Sequence, residues 1–177
     1  MQFKVTIPKD VAMVDERRLR EAAVRGVRNV VYAHLVARDG TARHQPGMPR
    51  SGYWGSAATS TTFELNEHGG VVSIPKEGVA LRYYGGVVRP GPGKKALAFP
   101  VNPAVAGMRA AEYDPMHTKL DFVPGRKGKA PTLRDADSGE VYYVLLASKK
   151  FGADKTVLPP ESVMLAAAVS AMEAARC

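Results

Sequence analysis

The sequence predicts an α+β protein, with an antiparallel β-sheet and a long N-terminal helix and a C-terminal helix packed on one side. Apolar residues recur at helical spacing over residues 16–37, and an alanine-rich apolar segment follows Pro159 and Pro160. Between them, β-rich segments come in pairs joined by glycine-containing turns, over residues 61–74 and 131–148. Strands grouped between two helices favour this class over alternating βαβ units.

The first helix is expected to start after Asp15 and to extend to about Ala37. The Asp15 carboxylate can accept the unpaired N–H groups of a first helical turn. Besides its main apolar stripe, the helix carries a second apolar row, consisting of Val24, Val31 and Leu35. This row fits a helix packed on two sides within its own domain, and equally a helix that faces a neighbouring subunit.

Residues 38–59 are predicted to form a long loop, because glycine and proline recur too often for regular structure. Part of that segment, around residues 54–61, can be helical instead. A short helix over residues 78–84 and a basic loop over residues 89–95 are expected to follow. The length of 177 residues suits one domain over residues 1–177.

The C-terminal helix is expected to run to about Ala175 and is apolar on nearly every side. A helix of this kind is normally buried, either on the sheet of its own chain or against another subunit. The two apolar helices together give the candidate subunit-interface residues: Val24, Val31, Leu35, Met164, Leu165 and Met172.

The chain is basic, with 25 Lys and Arg against 17 Asp and Glu and a formal net charge of +8. Such a surplus favours an anionic partner, which can be nucleic acid, an anionic membrane or an acidic protein surface. A basic protein without such a partner is the alternative. The basic residues concentrate between Arg89 and Lys150, and the candidate DNA contacts are Lys94, Lys95, Arg126, Lys127 and Lys129.

Motifs for catalysis and metal binding are missing from the sequence. A single cysteine excludes a disulfide within the chain and a Cys-based zinc site. The four histidines form no H-E-x-x-H pattern, and there is no G-x-S-x-G elbow. The segment around Gly93 fails as a phosphate loop, because Val88 stands where glycine is required and Pro92 has no N–H. The sequence therefore predicts no enzymatic activity, no metal and no cofactor.

The N-terminal segment lacks the apolar stretch of a signal peptide, and no apolar run approaches the roughly 20 residues of a membrane span. We therefore expect synthesis in the cytoplasm and no membrane partner.

Two neighbouring motifs resemble the phage virion morphogenesis and tail-completion family. That family commonly has a Y-G-G-x-I-x-P loop followed by a K-x-L-x-I-P strand. This chain has Y-G-G-V-V-R-P over residues 84–90 and K-A-L-A-F-P over residues 95–100, with Val88 and Phe99 in place of isoleucine. Further similarity to related prophage proteins extends the resemblance over about residues 15–160.

The resemblance implies a small α+β protein without enzymatic activity that forms a ring at the head–tail junction of a tailed phage. Its expected partners are further copies of itself in a six-fold or twelve-fold ring, the portal and adaptor, and tail terminator or tail tube proteins. Non-specific contact with passing DNA is also expected. The location implied is the virion, after synthesis in the bacterial host cytoplasm.

Two other functions remain open from the sequence. A tail terminator would cap the tail tube instead of extending the head connector. A basic nucleic-acid-binding accessory protein would show an affinity that falls steeply with salt. A packaging-associated hydrolase would need a titratable cluster in a pocket, and the sequence contains no motif for one.

Overall fold

The protein is described by a computed structural model that covers residues 1–6, 15–41, 51–113, 119–126 and 128–176. In chain order its helices are α1 (Glu16–Thr41), α2 (Tyr53–Thr59), α3 (Val79–Tyr84), α4 (Ala110–Tyr113) and α5 (Glu161–Arg176). Its strands are β1 (Gln2–Thr6), β2 (Thr62–Asn66), β3 (Gly69–Ser73), β4 (Gly86–Val88), β5 (Leu97–Pro100), β6 (Leu120–Val123), β7 (Thr132–Asp135), β8 (Val141–Leu146) and β9 (Lys149–Phe151). Two 3₁₀ turns lie at Pro103–Val105 and Lys155–Val157.

The predicted α+β class is confirmed, with a long N-terminal helix, a C-terminal helix and antiparallel strands. The strands form three sheets, ordered β1-β3-β2, β4-β9 and β5-β8-β7-β6. Among the described residues, no helix has the length and apolar character needed to cross a membrane.

The chain divides into two compact units. Unit 1 comprises Met1–Ala42, Gly52–Gly85 and Gly152–Cys177, and unit 2 comprises Arg43–Ser51 and Gly86–Phe151. A compact unit can be a lobe of one domain or a domain of its own, so a single domain over residues 1–177 stays a prediction.

Helix α1 is the centre of unit 1. The predicted cap is confirmed: Asp15 Oδ1 accepts the backbone N–H groups of Arg17 at 3.0 Å and Arg18 at 3.3 Å. The helix packs on the β1-β3-β2 sheet, where Gly70 of β3 makes room for it. A Cβ at Gly70 would lie 2.7 Å from Val24 Cγ2 and 2.6 Å from the Glu64 carbonyl oxygen, so only glycine fits there.

The second apolar row of α1 belongs to the core of unit 1. Val24, Val31 and Leu35 are each 0% exposed, in one cluster with residues of α2 that include Trp54 and Ala57. The prediction that these three residues face a neighbouring subunit is wrong, because side chains of the same unit already cover them. The alternative interpretation, a helix packed on two sides within its own domain, is correct.

The predicted loop over residues 38–59 is wrong at both ends. Helix α1 continues to Thr41, and α2 occupies Tyr53–Thr59, close to the segment for which a helix was the alternative. A hydrogen bond between the two helices favours these ends: Asp39 Oδ1 accepts the backbone N–H of Trp54 at 3.0 Å. Residues 42–50 lie outside the described residues.

Helix α5 packs on α1 instead of on the sheet. The two backbones approach closely at Gly26, where a Cβ would lie 2.6 Å from the Ala167 carbonyl oxygen and 2.8 Å from the Ala171 Cβ. Ala168 is buried, whereas Leu165 and Val169 are exposed. The small residues of α5 therefore serve the helix contact, and part of its apolar surface remains open.

Unit 2 is built around the four-stranded sheet and has a small core of Val105, Tyr113 and Tyr143. The turn from β7 to β8 is fixed by the buried Asp135, whose Oδ1 accepts the backbone N–H of Ser138 at 2.8 Å and its Oγ–H at 2.9 Å. We call this end of the sheet the turn end.

Candidate nucleic-acid interface

The end of the four-stranded sheet opposite the turn end collects several basic segments. The antiparallel register pairs Leu97 with Leu146 and Val123 with Thr132. The same register pairs Thr132 with Val144. The starts of β5 and β7 and the ends of β6 and β8 therefore lie together at this end.

Three segments emerge there. Residues 89–96 connect β4 to β5, residues 124–131 connect β6 to β7, and β9 follows β8 after two residues. We call this region the basic end. Its described cations are all exposed: Arg89, Lys94, Lys95, Arg126, Lys129, Lys149 and Lys150.

Charge is separated along unit 2. The stretches 86–98, 122–133 and 144–151, which form the basic end, contain no Asp or Glu. Asp135, Asp137 and Glu140 lie in or beside the β7–β8 turn, and Asp121 lies near the start of β6. Because no carboxylate from these stretches offsets the cations, the basic end presents a positive potential to any anion that approaches.

Glycine-dependent turns shape both basic loops. In the first, Gly93 has a φ of +75° and the Lys94 N–H donates to the Gly91 carbonyl oxygen at 3.0 Å. In the second, Gly128 has a φ of +80° and the Lys129 N–H donates to the Arg126 carbonyl oxygen at 3.1 Å. The turns hold part of the loop backbone, which lowers the entropy that binding would cost.

The two loops contain only Gly, Pro, Ala, Lys and Arg. Long cationic side chains on such a backbone suit contact with phosphate oxygens, which carry no sequence information. Asn, Gln and aromatic side chains, which read or stack on bases, do not occur in either loop.

Four of the five predicted DNA contacts are thus brought to one end of the sheet: Lys94, Lys95, Arg126 and Lys129. Lys127 lies outside the described residues. The predicted set omits Arg89, Lys149 and Lys150, which belong to the same region. The sequence marks all three as basic, but their place beside the loops follows from the pairing of β4 with β9, which aligns Val88 with Lys149 and Val87 with Lys150.

The predicted interface residues of α5 differ from one another in exposure. Met164 and Met172 are half-buried and pack against the core of unit 1. Leu165 is 64% exposed, and it borders a groove of about 620 Å³ together with Tyr84, which is 63% exposed. Of the six predicted interface residues, Leu165 is the one that the described structure leaves largely open.

This groove in unit 1 is lined by β1, α3, α5 and the chain before α5. The Lys155 ammonium lies over the rings of Tyr83 and Tyr84, at 3.9 and 4.8 Å from their centroids. Among its described lining residues, Glu161 is the one carboxylate, and there is no histidine, cysteine or serine. The described lining therefore offers no serine or cysteine nucleophile and no histidine to act as its base.

A second polar cluster of unit 1 joins α1, α2 and α3. Two guanidinium groups lie over the ring of Trp54, that of Arg38 at 4.7 Å and that of Arg82 at 5.5 Å from the ring centroid. Arg38 also forms a salt bridge with Asp154. Hydrogen bonds from Thr156, followed by that from Arg38, hold the pKa of Asp154 below its ordinary value. These contacts link the helices to the chain before α5 and stabilise the unit.

The remaining titratable cluster lies beside the β7–β8 turn. The rings of Tyr113 and Tyr142 meet edge to face at 5.3 Å, and a hydrogen bond with Tyr113 raises the pKa of the Tyr142 hydroxyl. Burial raises the pKa of Tyr143, whose hydroxyl donates to the Met108 carbonyl oxygen at 3.3 Å. The Tyr113 hydroxyl donates to Asp135 Oδ2 at 3.5 Å, which connects the cluster to the turn. In the described part of the chain, no three His, Cys, Asp or Glu residues are grouped so that they could hold a metal ion.

Comparison with known proteins gives no match to a family model, to a curated protein or to a solved structure.

Proposed function

We propose that the chain is a structural, non-enzymatic subunit of a ring at the head–tail junction of a tailed-phage particle, a neck or tail-completion protein. In this role six or twelve copies join the portal–adaptor complex to the tail. The observation that carries the proposal is the basic end, because DNA that moves through such a junction presents phosphates of every sequence in turn. A surface of exposed Lys and Arg on loops of Gly, Pro and Ala suits that contact, because such side chains bind phosphates of any sequence.

The position of the family-like motifs supports the same proposal. The Y-G-G segment ends α3 at Tyr84, and Gly85 follows with a φ of +76° that favours glycine. The K-x-L-x-F-P segment forms β5. The two motifs therefore meet in the loop of residues 89–96, since the first ends at Pro90 and the second begins at Lys95.

A closed ring needs two different patches on each subunit. The described structure offers exposed apolar residues on both long helices, Tyr32 and Val36 on α1 and Leu165 and Val169 on α5. These residues replace Val24, Val31 and Leu35 as the proposed interface set, since those three are buried.

The test is the mass and shape of the purified protein across a range of concentrations, by light scattering and negative-stain imaging. We expect rings, and we expect the double variant Leu165→Glu/Val169→Glu to yield monomers, because carboxylates would be buried in the contact. Ser170→Glu is the control, since Ser170 is exposed on the same helix and projects roughly 100–140° away from Val169 and Leu165 around the helix axis. A monomer that also fails to assemble on a portal–adaptor complex contradicts the proposal.

Two alternative functions use the same surfaces. A tail terminator would form a ring in contact with the tail tube, and labelling of the ring's neighbours in particles separates it from a neck protein. A nucleic-acid-binding accessory protein is favoured by the basic end alone. It would bind DNA as a monomer or dimer with a steep dependence on salt and would form no ring.

A further inference from the structure

The two basic loops are attached near opposite edges of the four-stranded sheet, and both leave it at the basic end. In the order β5-β8-β7-β6, the edge strands are β5 and β6. Residues 89–96 lead into β5, and residues 124–131 leave β6 for β7. We propose that the two loops bind double-stranded nucleic acid together, one on each side of a groove, so that the basic end prefers a duplex to a single strand. This inference rests on the proposed function and names the ligand of its basic end.

The spacing of the strands sets the distance between the loops. Neighbouring strands lie about 4.8 Å apart, and two to three such steps separate the bases of the loops, which gives roughly 10–14 Å. The major groove of B-form DNA is about 12 Å wide. The rows of phosphates on its two sides are therefore at a distance that lysines on the two loops can reach at once.

Residues 149–151 add two cations at the same end. They form β9, which pairs with β4 and follows β8 after two residues, and β8 lies between β5 and β7 in the four-stranded sheet. The side chains of Lys149 and Lys150 point to opposite faces of this strand, so each face has one ammonium group. These two cations add to the attraction for phosphates without belonging to either loop.

The composition of the loops argues for duplex shape instead of unpaired bases. Single strands are usually bound by aromatic side chains on which bases stack, beside a positive groove. Residues 89–96 and 124–131 contain no aromatic residue. The loops can therefore gain binding energy mainly from phosphates, and a duplex offers two rows of them where a single strand offers one.

The experiment measures binding of a mixed-sequence duplex of about two helical turns, and of a single strand of the same length, by fluorescence anisotropy at several salt concentrations. We expect tighter binding of the duplex. Lys94→Gln/Lys95→Gln in one loop and Arg126→Gln/Lys129→Gln in the other should each weaken duplex binding about tenfold or more at ~0.1 M salt. Each should lower the salt slope by about 1.8, which is about 0.9 for each of two lost phosphate contacts. Either double variant should also remove most of the preference for the duplex, because one loop alone contacts only one of the two rows of phosphates.

The matched control is Lys119→Gln/Arg134→Gln, which removes two exposed cations from the turn end of the same sheet. If binding depended on net charge alone, this control would lose as much affinity as the loop variants, and the inference would fail. Equal affinity for duplex and single strand, or duplex preference that survives in both loop variants, also overturns it.

Light scattering on the same samples keeps the two proposals apart. Rings that bind no duplex would overturn the inference and leave the ring subunit in place. Duplex binding through both loops without rings would support the inference and favour the accessory-protein alternative. Circular dichroism shows whether each variant keeps the wild-type fold.

Discussion

Unit 1 and unit 2 are stabilised in different ways. In the described residues, unit 1 has an apolar cluster of fourteen buried residues around α1. The corresponding cluster of unit 2 has three buried residues and depends on strand pairing and on polar contacts at its turn. Burial of apolar surface is the larger stabilising contribution in most domains. The difference suggests that unit 1 supplies most of the stability and that unit 2 supplies loops on a thin sheet.

The largest expected effect tests the core of unit 1. Leu35→Ala removes a completely buried side chain and should lower the free energy of unfolding by about 2–5 kcal/mol, since the cavity adds to the lost burial. Chemical denaturation measures the change. Val36→Ala, one residue further along the helix and exposed, should change the stability of the dissociated subunit by at most about 0.5 kcal/mol. Equal effects at the two positions would mean that α1 packs differently from the description above.

The next effect tests the close contact of α1 and α5. Gly26→Ala places a methyl group 2.6 Å from the Ala167 carbonyl oxygen, and the helices must separate. We expect a loss of about 1–3 kcal/mol, despite the better helix propensity of alanine. Gly40→Ala in the same helix meets no atom within 4 Å and should leave stability unchanged or raise it by up to about 1 kcal/mol. Thermal melts of both variants show whether Gly26→Ala lowers the melting temperature while Gly40→Ala leaves it unchanged or raises it, as this contact requires.

A smaller effect separates unit 2 from unit 1. Asp135→Ala removes the acceptor of two hydrogen bonds from Ser138. It should destabilise the β7–β8 turn by about 0.5–1.5 kcal/mol, because Ser138 is exposed and its freed donors can bond to water. Hydrogen exchange should accelerate for amides of residues 132–146 while α1 keeps its protection. Asp137→Ala, an exposed residue of the same turn, is the control. Uniform acceleration through both units would show that they unfold as one.

The smallest effect concerns pH. The pKa of Asp154 is depressed in the fold. Its charged form therefore stabilises the fold at any pH above the ordinary pKa of 3.8. That contribution is lost as the pH falls through the lowered pKa. The stability difference between wild type and Asp154→Asn should therefore be full at neutral pH and shrink below about pH 4. Denaturation at a series of pH values measures it, and a difference that does not vary with pH would argue against the lowered pKa.

Local signals in the sequence predict most of the elements. The Asp15 cap, the two hairpins and the Pro159-Pro160 start of α5 each involve neighbours in the chain and are found, although Gly69 and Gly70 of the first predicted turn belong to β3. The loop of residues 38–59 was predicted from composition, and the contact between Asp39 and Trp54 overrides it. The loop propensity of this composition is outweighed here by a hydrogen bond between residues that are fifteen positions apart in the chain.

Long-range pairing accounts for what the sequence does not predict. The burial of Val24, Val31 and Leu35 depends on α2 and on the sheet, whose positions no periodicity in α1 indicates. The basic clusters can be read from the sequence, but their convergence depends on the register of β5, β6, β7 and β8. The pairing of β4 with β9 joins residues more than sixty positions apart, and short strands of three residues give little signal of their own.

The pairing of Gly86 with Phe151 means that the segment between them begins and ends at neighbouring points. Such a segment has the geometry of a tolerated insertion, because its length and sequence can change without moving the residues at which it is attached. Related proteins could therefore vary the reach and the charge of the basic loops independently of α1 and its core. An artificial short turn between the same two points would, for the same reason, leave the flanking chain ends where they are.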